Sequence, residues 1–172
     1  GLPTETDEDL QAIVALVRKL RKNSKGLKIN VSAATFIPKP HTPFQWVSQI
    51  PLDRSKDSLR WLQGNLRLPG IQFKWQNPEV SLLEGLWSRG DRRLSRLLVA
   101  AYQKGCRFDG WSDKFQYRLW QEAFSREGVD IDFYTTRKRD RDDPLPWDHI
   151  DTGVAKEFLK NEGYELMKGA AQ

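Results

Sequence analysis

The segment from Leu27 to Trp46, with the sequence LKINVSAATFIPKPHTPFQW, decides how this part of the chain folds. Its first half alternates apolar and polar residues, which is the two-residue period of a β-strand. Its second half contains three prolines, which cannot donate ladder hydrogen bonds and which restrict the backbone. We therefore expect a strand that runs into an extended, stiff loop, and such a loop is well suited to hold a ligand.

The residues before this segment predict a helix. Thr6 precedes three acidic residues, a combination typical of an N-cap followed by a first turn that favours negative charge. Apolar residues then recur at helical spacing, at Leu10, Ile13, Val14, Val17 and Leu20. The order is therefore helix, then strand.

The residues after the loop predict further elements, mostly helical. Ile71–Trp75 alternates like a short strand, and Asn77 followed by a proline is a typical helix start. We also predict a short strand at Val129–Tyr134 and a last helix over Val154–Met167. The charged run Arg137–Asp143 has no apolar residue and predicts a solvated loop.

Composition limits the functional classes. The 172 residues suit one domain or slightly more, and a hydrophobic content of 38% is enough for a core. We find neither an apolar window of about 20 residues nor a signal pattern, so we expect a cytoplasmic protein with no membrane partner. The net charge of +5 arises from 28 basic and 23 acidic residues, a mixture that does not favour a nucleic-acid partner.

Metal-ligating residues are scarce. The single cysteine, Cys106, excludes an internal disulfide, and with His41 and His149 it does not form a familiar zinc motif. One thiolate cannot hold an iron–sulfur cluster. We expect Cys106 to be a structural thiol, and we predict no metal ligand in this chain.

Three stretches together resemble radical S-adenosylmethionine proteins, particularly a family in which that domain is fused to further C-terminal sequence. Gly1-Leu2-Pro3-Thr4-Glu5-Thr6 resembles a Gly-Leu-Pro-Gly-Glu-Thr element, with Thr4 in place of a glycine. Phe36–Trp46 is similar to a Thr-Pro-x-Pro-Gly-Thr-Pro segment of relatives that also bind cobalamin, with His41 where glycine is usual. The third stretch resembles the region that joins barrel and appended domain, and comprises Asn77–Arg93, Arg107–Trp111 and Leu145–Val154.

The resemblance implies an α/β fold. Residues 1–76 would form the last strands and helices of an incomplete (β/α) barrel, and residues 77–172 a mostly helical extension that leads to a following domain. In such barrels ligands sit at the C-terminal ends of the strands.

The resemblance also implies a function. The parent enzyme would reductively cleave S-adenosylmethionine to a 5′-deoxyadenosyl radical by means of a 4Fe–4S cluster, on a substrate that the sequence does not name. The Cys-x-x-x-Cys-x-x-Cys cluster motif is absent from these residues, so the partners expected are an upstream cluster-binding half and a downstream domain of the same polypeptide. Cobalamin, if used, would bind to another domain.

Site residues follow from the two loop elements. The resemblance implies that the cofactor is bound by Gly1, Leu2, Pro3, Glu5, Pro40, Thr42 and Pro43. His41 is the candidate catalytic residue, because an imidazole titrates near neutral pH and the neighbouring prolines fix its direction. The alternative is that His41 only hydrogen-bonds the backbone of a tight loop.

Other patterns have two interpretations each. Asp148, His149 and Asp151 suit acid–base chemistry or, as we favour, capping of the next helix. Arg89, Arg92, Arg93 and Arg96 would form a basic stripe only if Gly90 does not break the helix. The alternative to an enzyme fragment is a non-catalytic module that binds RNA or a protein partner.

Overall fold

The computed structural model describes residues 1–24 and 26–169. Helices dominate this part of the chain, and a short parallel sheet lies near its N-terminal end. The elements are α1 (Asp7–Asn23), β1 (Ile29–Ala33), α2 (Leu52–Leu66), β2 (Ile71–Trp75), α3 (Pro78–Arg89), a 3₁₀-helix (Arg92–Leu94), α4 (Ser95–Gln103), α5 (Tyr117–Glu127), α6 (Ile131–Tyr134) and α7 (Lys156–Gly169).

Helix α1 begins where its cap predicts. The Thr6 hydroxyl accepts a hydrogen bond from the Asp9 backbone N–H at 3.3 Å, and the Asp9 carboxylate accepts one from the Thr6 N–H at 2.8 Å. This reciprocal capping box satisfies two backbone donors that a helix start otherwise leaves without partners. The predicted N-cap is confirmed.

Strands β1 and β2 pair in parallel, with Ile29 opposite Ile71 and Ala33 opposite Trp75. Helix α2 is the crossover between them, and α1 packs against α2. The core of this half is formed by Leu10, Val14, Val17, Leu62 and Leu66, with Val31, Ile71 and Phe73 against it. The strands predicted at β1 and β2 are confirmed.

The expected incomplete (β/α) barrel is wrong. Among the described residues the sheet has two strands of five residues each, and helices form the rest of the regular structure. The physical reason is that the apolar residues after β2 recur at helical spacing, so they pack helix against helix and do not extend the sheet.

The predicted strand at Val129–Tyr134 is also wrong. Gly128 adopts a left-handed conformation that ends α5, and the Asp130 carboxylate accepts a hydrogen bond from the Asp132 N–H at 2.9 Å. A C-cap and an N-cap so close together favour the short helix α6 over an extended segment.

A second core holds the helices together, and a third lies beneath the loop after β1. The second is formed by side chains of α3, α4, α5 and α6, with Leu86, Leu97 and Ala123 completely buried. The third joins Trp46 and Leu159 to the turn that contains Leu145 and Trp147. The domain boundary between residues 76 and 77 stays a prediction.

The charged run Arg137–Asp143 is a loop outside the core, as its composition predicts, with the exception of Arg139. Arg139 is only 5% exposed, and its guanidinium Nη2 donates to the Tyr134 carbonyl at 2.7 Å. Its backbone N–H donates to the Trp46 carbonyl at 3.4 Å. Carbonyl acceptors therefore draw one arginine inward, although the neighbouring residues stay exposed.

None of the helices in the described part of the chain is both long enough and apolar enough to cross a membrane.

Candidate functional site

A groove of about 1250 Å³ lies between three segments of the chain. Its first wall is the N-terminal stretch through Asp7, its second is the loop Trp46–Pro51, and its third is the charged segment Lys138–Asp143. Leu10, Arg54, Ser58 and Met167 complete it. The groove thus combines one element of the family resemblance with a segment that the sequence places in solvent.

The first wall is a turn held close to the second. The Glu5 N–H donates to the Leu2 carbonyl at 3.0 Å, and the Leu2 side chain is 45% exposed. A β-carbon at Gly1 would lie 2.8 Å from Cγ2 of Ile50, so only a glycine permits this approach. The backbone of the first wall therefore contacts the second wall directly.

The second wall is the end of the proline-rich loop. Gln45, 2% exposed, anchors this loop because its Oε1 accepts hydrogen bonds from the His41 N–H at 3.2 Å and from Trp147 Nε1 at 2.6 Å. The Thr42 hydroxyl donates to the Lys39 carbonyl at 2.8 Å. Trp46 packs in the third core and also lines the groove.

His41 adopts a left-handed backbone conformation, with φ of 55°. Its Nε2 is buried and has no hydrogen-bond partner among the described residues. His41 is not among the residues that line the groove. The geometry therefore assigns it a place in the folded loop, behind the groove surface.

The structure separates the two sets of predicted cofactor residues. Gly1, Leu2, Pro3 and Glu5 line the groove, whereas Pro40, Thr42 and Pro43 do not. Helix α7 packs closely on Pro43, because a β-carbon at Gly163 would lie only 2.5 Å from the Pro43 carbonyl oxygen. Packing against α7 is therefore what Pro43 does in this structure.

A buried polar cluster beneath the second wall was not predicted from the sequence. Arg89 is completely buried, and its guanidinium donates to three backbone carbonyls: Thr135 at 3.2 Å, Val47 at 2.9 Å and Gln45 at 3.5 Å. Gln49 lies beside it, and its Nε2 donates to the Ser81 carbonyl at 3.0 Å. No sequence pattern distinguishes this arginine from a solvated one.

The cluster is strongly electropositive. Burial, and then the nearby charges of Arg139 and Arg137, lower the pKa of Arg89 to about 9. Burial and Arg137 lower the pKa of Arg139 to about 10, against the opposing effect of Asp143. Both guanidinium groups remain charged at neutral pH, so two cations lie next to the groove in a medium of low dielectric constant.

The basic stripe, which required an unbroken helix through Gly90, does not form. Arg89 is buried, and α3 ends at Gly90. Arg93 forms an ion pair with Asp91 at 2.7 Å. These arginines therefore do not share one exposed helix face.

Asp148 and Asp151 hold the turn that precedes α7. Asp148 Oδ2 accepts from the Leu145 N–H at 2.9 Å and pairs with Lys156 at 2.7 Å. Asp151 accepts from the Gly153 N–H at 2.8 Å. Because α7 begins at Lys156, these backbone donors belong to the turn, and the favoured prediction that the next helix is capped here is wrong.

Metal ligands do not cluster in the described residues: no group of three or more His, Cys, Asp or Glu side chains lies close enough to hold a metal ion. Cys106 is buried in the helical core, and burial raises the pKa of its thiol. A protonated, enclosed thiol is a poor metal ligand and a poor nucleophile.

Comparison with known proteins yields one relative of note. The chain is 35% identical over 131 residues to an uncharacterized protein of Methanocaldococcus jannaschii, an alignment that covers 70% of this chain and 29% of that protein. The chain thus spans less than a third of the length of its relative. No family model matches the chain, and no solved structure matches it.

Proposed function

We propose that this chain supplies one wall of the S-adenosylmethionine site of a radical S-adenosylmethionine enzyme whose cluster is bound elsewhere in a longer polypeptide. One observation carries the proposal. The Gly1–Glu5 element, one of the three stretches that carry the resemblance, forms a wall of the groove and leaves the Leu2 side chain exposed to it.

The groove suits such a cofactor in size and chemistry. Sites for small molecules commonly measure about 300–1000 Å³ and combine apolar walls with a few polar groups. This groove is somewhat larger, at about 1250 Å³, and so has room for a cofactor together with part of a substrate. Leu2, Pro3 and Ile50 offer apolar contacts, and the Arg139 segment offers positive charge for a carboxylate.

The cluster does not fit the described residues. Cys106 is enclosed in the helical core, and Cys106 is the chain's single cysteine. When bound by another part of the polypeptide, the cluster would supply the electron for cleavage of the cofactor. Nothing in the proposal requires a cobalamin contact from this chain.

The chain's own residues would bind the cofactor and enclose it. Leu2 and Pro3 would cover the adenine ring, and the buried edge of Trp46 would exclude water from it. The turn closed by the Glu5 N–H would hold this wall in place, since Gly1 is fixed against Ile50. Positioning and water exclusion are therefore the contribution that we assign to the chain.

The test uses a longer polypeptide that includes a cluster-binding half, reduced under anaerobic conditions, with release of 5′-deoxyadenosine as the readout. We expect Leu2→Glu to weaken cofactor binding about tenfold or more, because it places a charge on an apolar wall. Leu27→Glu is the matched control: Leu27 is 64% exposed and lies outside the groove.

Absence of 5′-deoxyadenosine from a protein with an intact cluster would refute the proposal. Equal effects of Leu2→Glu and Leu27→Glu would refute the assignment of the wall. Salt-sensitive RNA binding without any cofactor dependence would favour the non-catalytic alternative.

A further inference from the structure

The contacts that Arg139 makes do not explain why this charged side chain is buried in the wall of the groove. It belongs to the third wall and is 5% exposed. Its Nη2 donates to the Tyr134 carbonyl, but its Nη1 is buried with no hydrogen-bond partner among the described residues. A buried guanidinium nitrogen without an acceptor destabilises the folded state.

Its charge is also uncompensated. In the described part of the chain no carboxylate lies within 4.0 Å of the guanidinium nitrogens of Arg139 or of Arg89. Asp143, the carboxylate that acts on Arg139, lies 4.0 Å from Arg137. Arg139 therefore shares with Arg137 the carboxylate that acts on it, and Arg89 has none within 4.0 Å among the described residues.

Three of the acidic residues that line the groove are engaged with groups other than Arg139. Asp7 pairs with Arg54, and Asp142 pairs with Lys160 at 2.9 Å. The Asp140 carboxylate accepts from the Asp142 N–H at 2.9 Å. Arg139 is therefore a charged donor in the groove wall, and its Nη1 can still donate to an acceptor.

We propose that the Lys138–Arg141 end of the groove is an oxyanion subsite, in which Arg139 donates from Nη1 to a carboxylate or phosphate group of the ligand. A guanidinium offers a planar fork of donors that matches both groups. Lys138 and Arg141, both exposed, flank Arg139 and would make the first contact. The subsite does not depend on whether the groove takes S-adenosylmethionine.

Entry requires a small movement, because Nη1 is sealed from water in this structure. The residues that follow Arg139 in the wall form an exposed turn, in which the Asp143 N–H donates to the Asp140 carbonyl at 3.2 Å. Oxyanion binding should therefore stabilise this turn in the folded protein. The midpoint of thermal unfolding, Tm, is a suitable readout because a ligand that binds the folded state raises it.

The experiment titrates the chain with inorganic phosphate at constant ionic strength and follows Tm. We expect a saturable rise of a few °C in the unaltered protein. The double variant Lys138→Gln/Arg141→Gln, which removes exposed charges, should lower the apparent phosphate affinity about tenfold. Arg118→Gln is the control, because Arg118 is exposed on α5 and pairs with Glu122.

Arg139→Lys and Arg139→Gln complete the series. In folded protein both should abolish the saturable part of the rise, since a lysine lacks the fork of donors. Phosphate also stabilises proteins non-specifically, but that effect would be equal in all variants and would not saturate. If the Arg139 variants do not fold, the phosphate affinity of Lys138→Gln/Arg141→Gln decides whether the subsite exists.

A linear rise of Tm with phosphate, without saturation, in the unaltered protein would overturn the subsite. An unchanged phosphate affinity in Lys138→Gln/Arg141→Gln would also overturn it. Competition between phosphate and S-adenosylmethionine would support the subsite and assign it to the carboxylate of the cofactor. Simultaneous binding would support it and assign it to a substrate. Saturable phosphate binding without any binding of S-adenosylmethionine would refute the proposed function and leave the subsite standing.

Discussion

The guanidinium of Arg89 donates a hydrogen bond to the backbone carbonyl of Thr135 over 3.2 Å, between two completely buried residues 46 positions apart. The same carbonyl accepts the Gln49 N–H at 3.0 Å. This oxygen therefore joins α3, the loop that forms the second groove wall, and the end of α6. The position of the groove depends on this junction.

Replacing Arg89 should destabilise the fold severely. Arg89→Ala leaves a cavity and removes a charged donor from three backbone carbonyls, of which only that of Thr135 keeps the Gln49 N–H, so we expect a loss of about 3 kcal/mol or more in the free energy of unfolding. Urea denaturation measures it. Arg92→Ala, at an exposed position nearby, should change it by no more than about 0.5 kcal/mol, and equal losses would show that Arg89 is not the junction.

Helix α7 should depend on the glycine that faces the loop. In Gly163→Ala the new β-carbon would lie 2.5 Å from the Pro43 carbonyl oxygen, so α7 must move away. We expect trypsin to cut after Lys160 about tenfold faster or more, because the open form becomes more populated.

A second glycine provides the control for α7. Gly64 lies within α2, and a β-carbon there meets no atom within 4 Å. Gly64→Ala should stabilise the protein by about 0.5–1 kcal/mol and leave cleavage after Lys160 unchanged. Unchanged cleavage in Gly163→Ala as well would contradict the packing of α7 on the loop.

The capping box of α1 should make the free energy of unfolding depend on pH in the acidic range. Hydrogen bonds from the Thr6 backbone N–H and side chain hold the pKa of Asp9 below its ordinary value. A lowered folded-state pKa gives a contribution that is complete above the unfolded-state pKa of about 3.9 and is lost as pH falls through the folded-state pKa.

The comparison is therefore between unaltered protein and Asp9→Asn at several pH values. We expect the difference in unfolding free energy to be constant above about pH 5 and to shrink below about pH 4. A difference that persists at low pH would show that the carboxylate charge is not what the capping box uses.

His41 should tolerate only residues that accept a left-handed backbone. With φ of 55°, His41→Val should cost about 1–3 kcal/mol, whereas His41→Gly should be close to neutral. Thermal unfolding of both variants measures this. In a cluster-containing polypeptide we expect folded His41→Asn to keep turnover within a few fold, and a loss of about a hundredfold would instead assign proton transfer to His41.

Local signals in the sequence predict the elements that local physics determines. The Thr6 and Asn77 caps and the alternation in β1 and β2 are determined by residues that lie close together in the sequence. Such local patterns are visible as spacing, so these predictions hold.

Tertiary contacts determine what the sequence does not reveal. Arg89 and Arg139 are buried because carbonyls from distant segments converge on them, and composition alone predicts a solvated arginine in each case. The sequence does not predict the groove for the same reason. Its three walls lie up to about 140 positions apart, between Gly1 and Asp143.

Photoaffinity labelling tests the central claim, that the groove is the cofactor site, most directly. The chain is irradiated with an azidoadenosine analogue of S-adenosylmethionine, and the labelled peptides are mapped by mass spectrometry with and without excess unlabelled cofactor. We predict competed labels within the groove walls, on Leu2–Glu5 or Trp46–Pro51. Competed labels on the helical core of α4 and α5, or none that the cofactor suppresses, would contradict it.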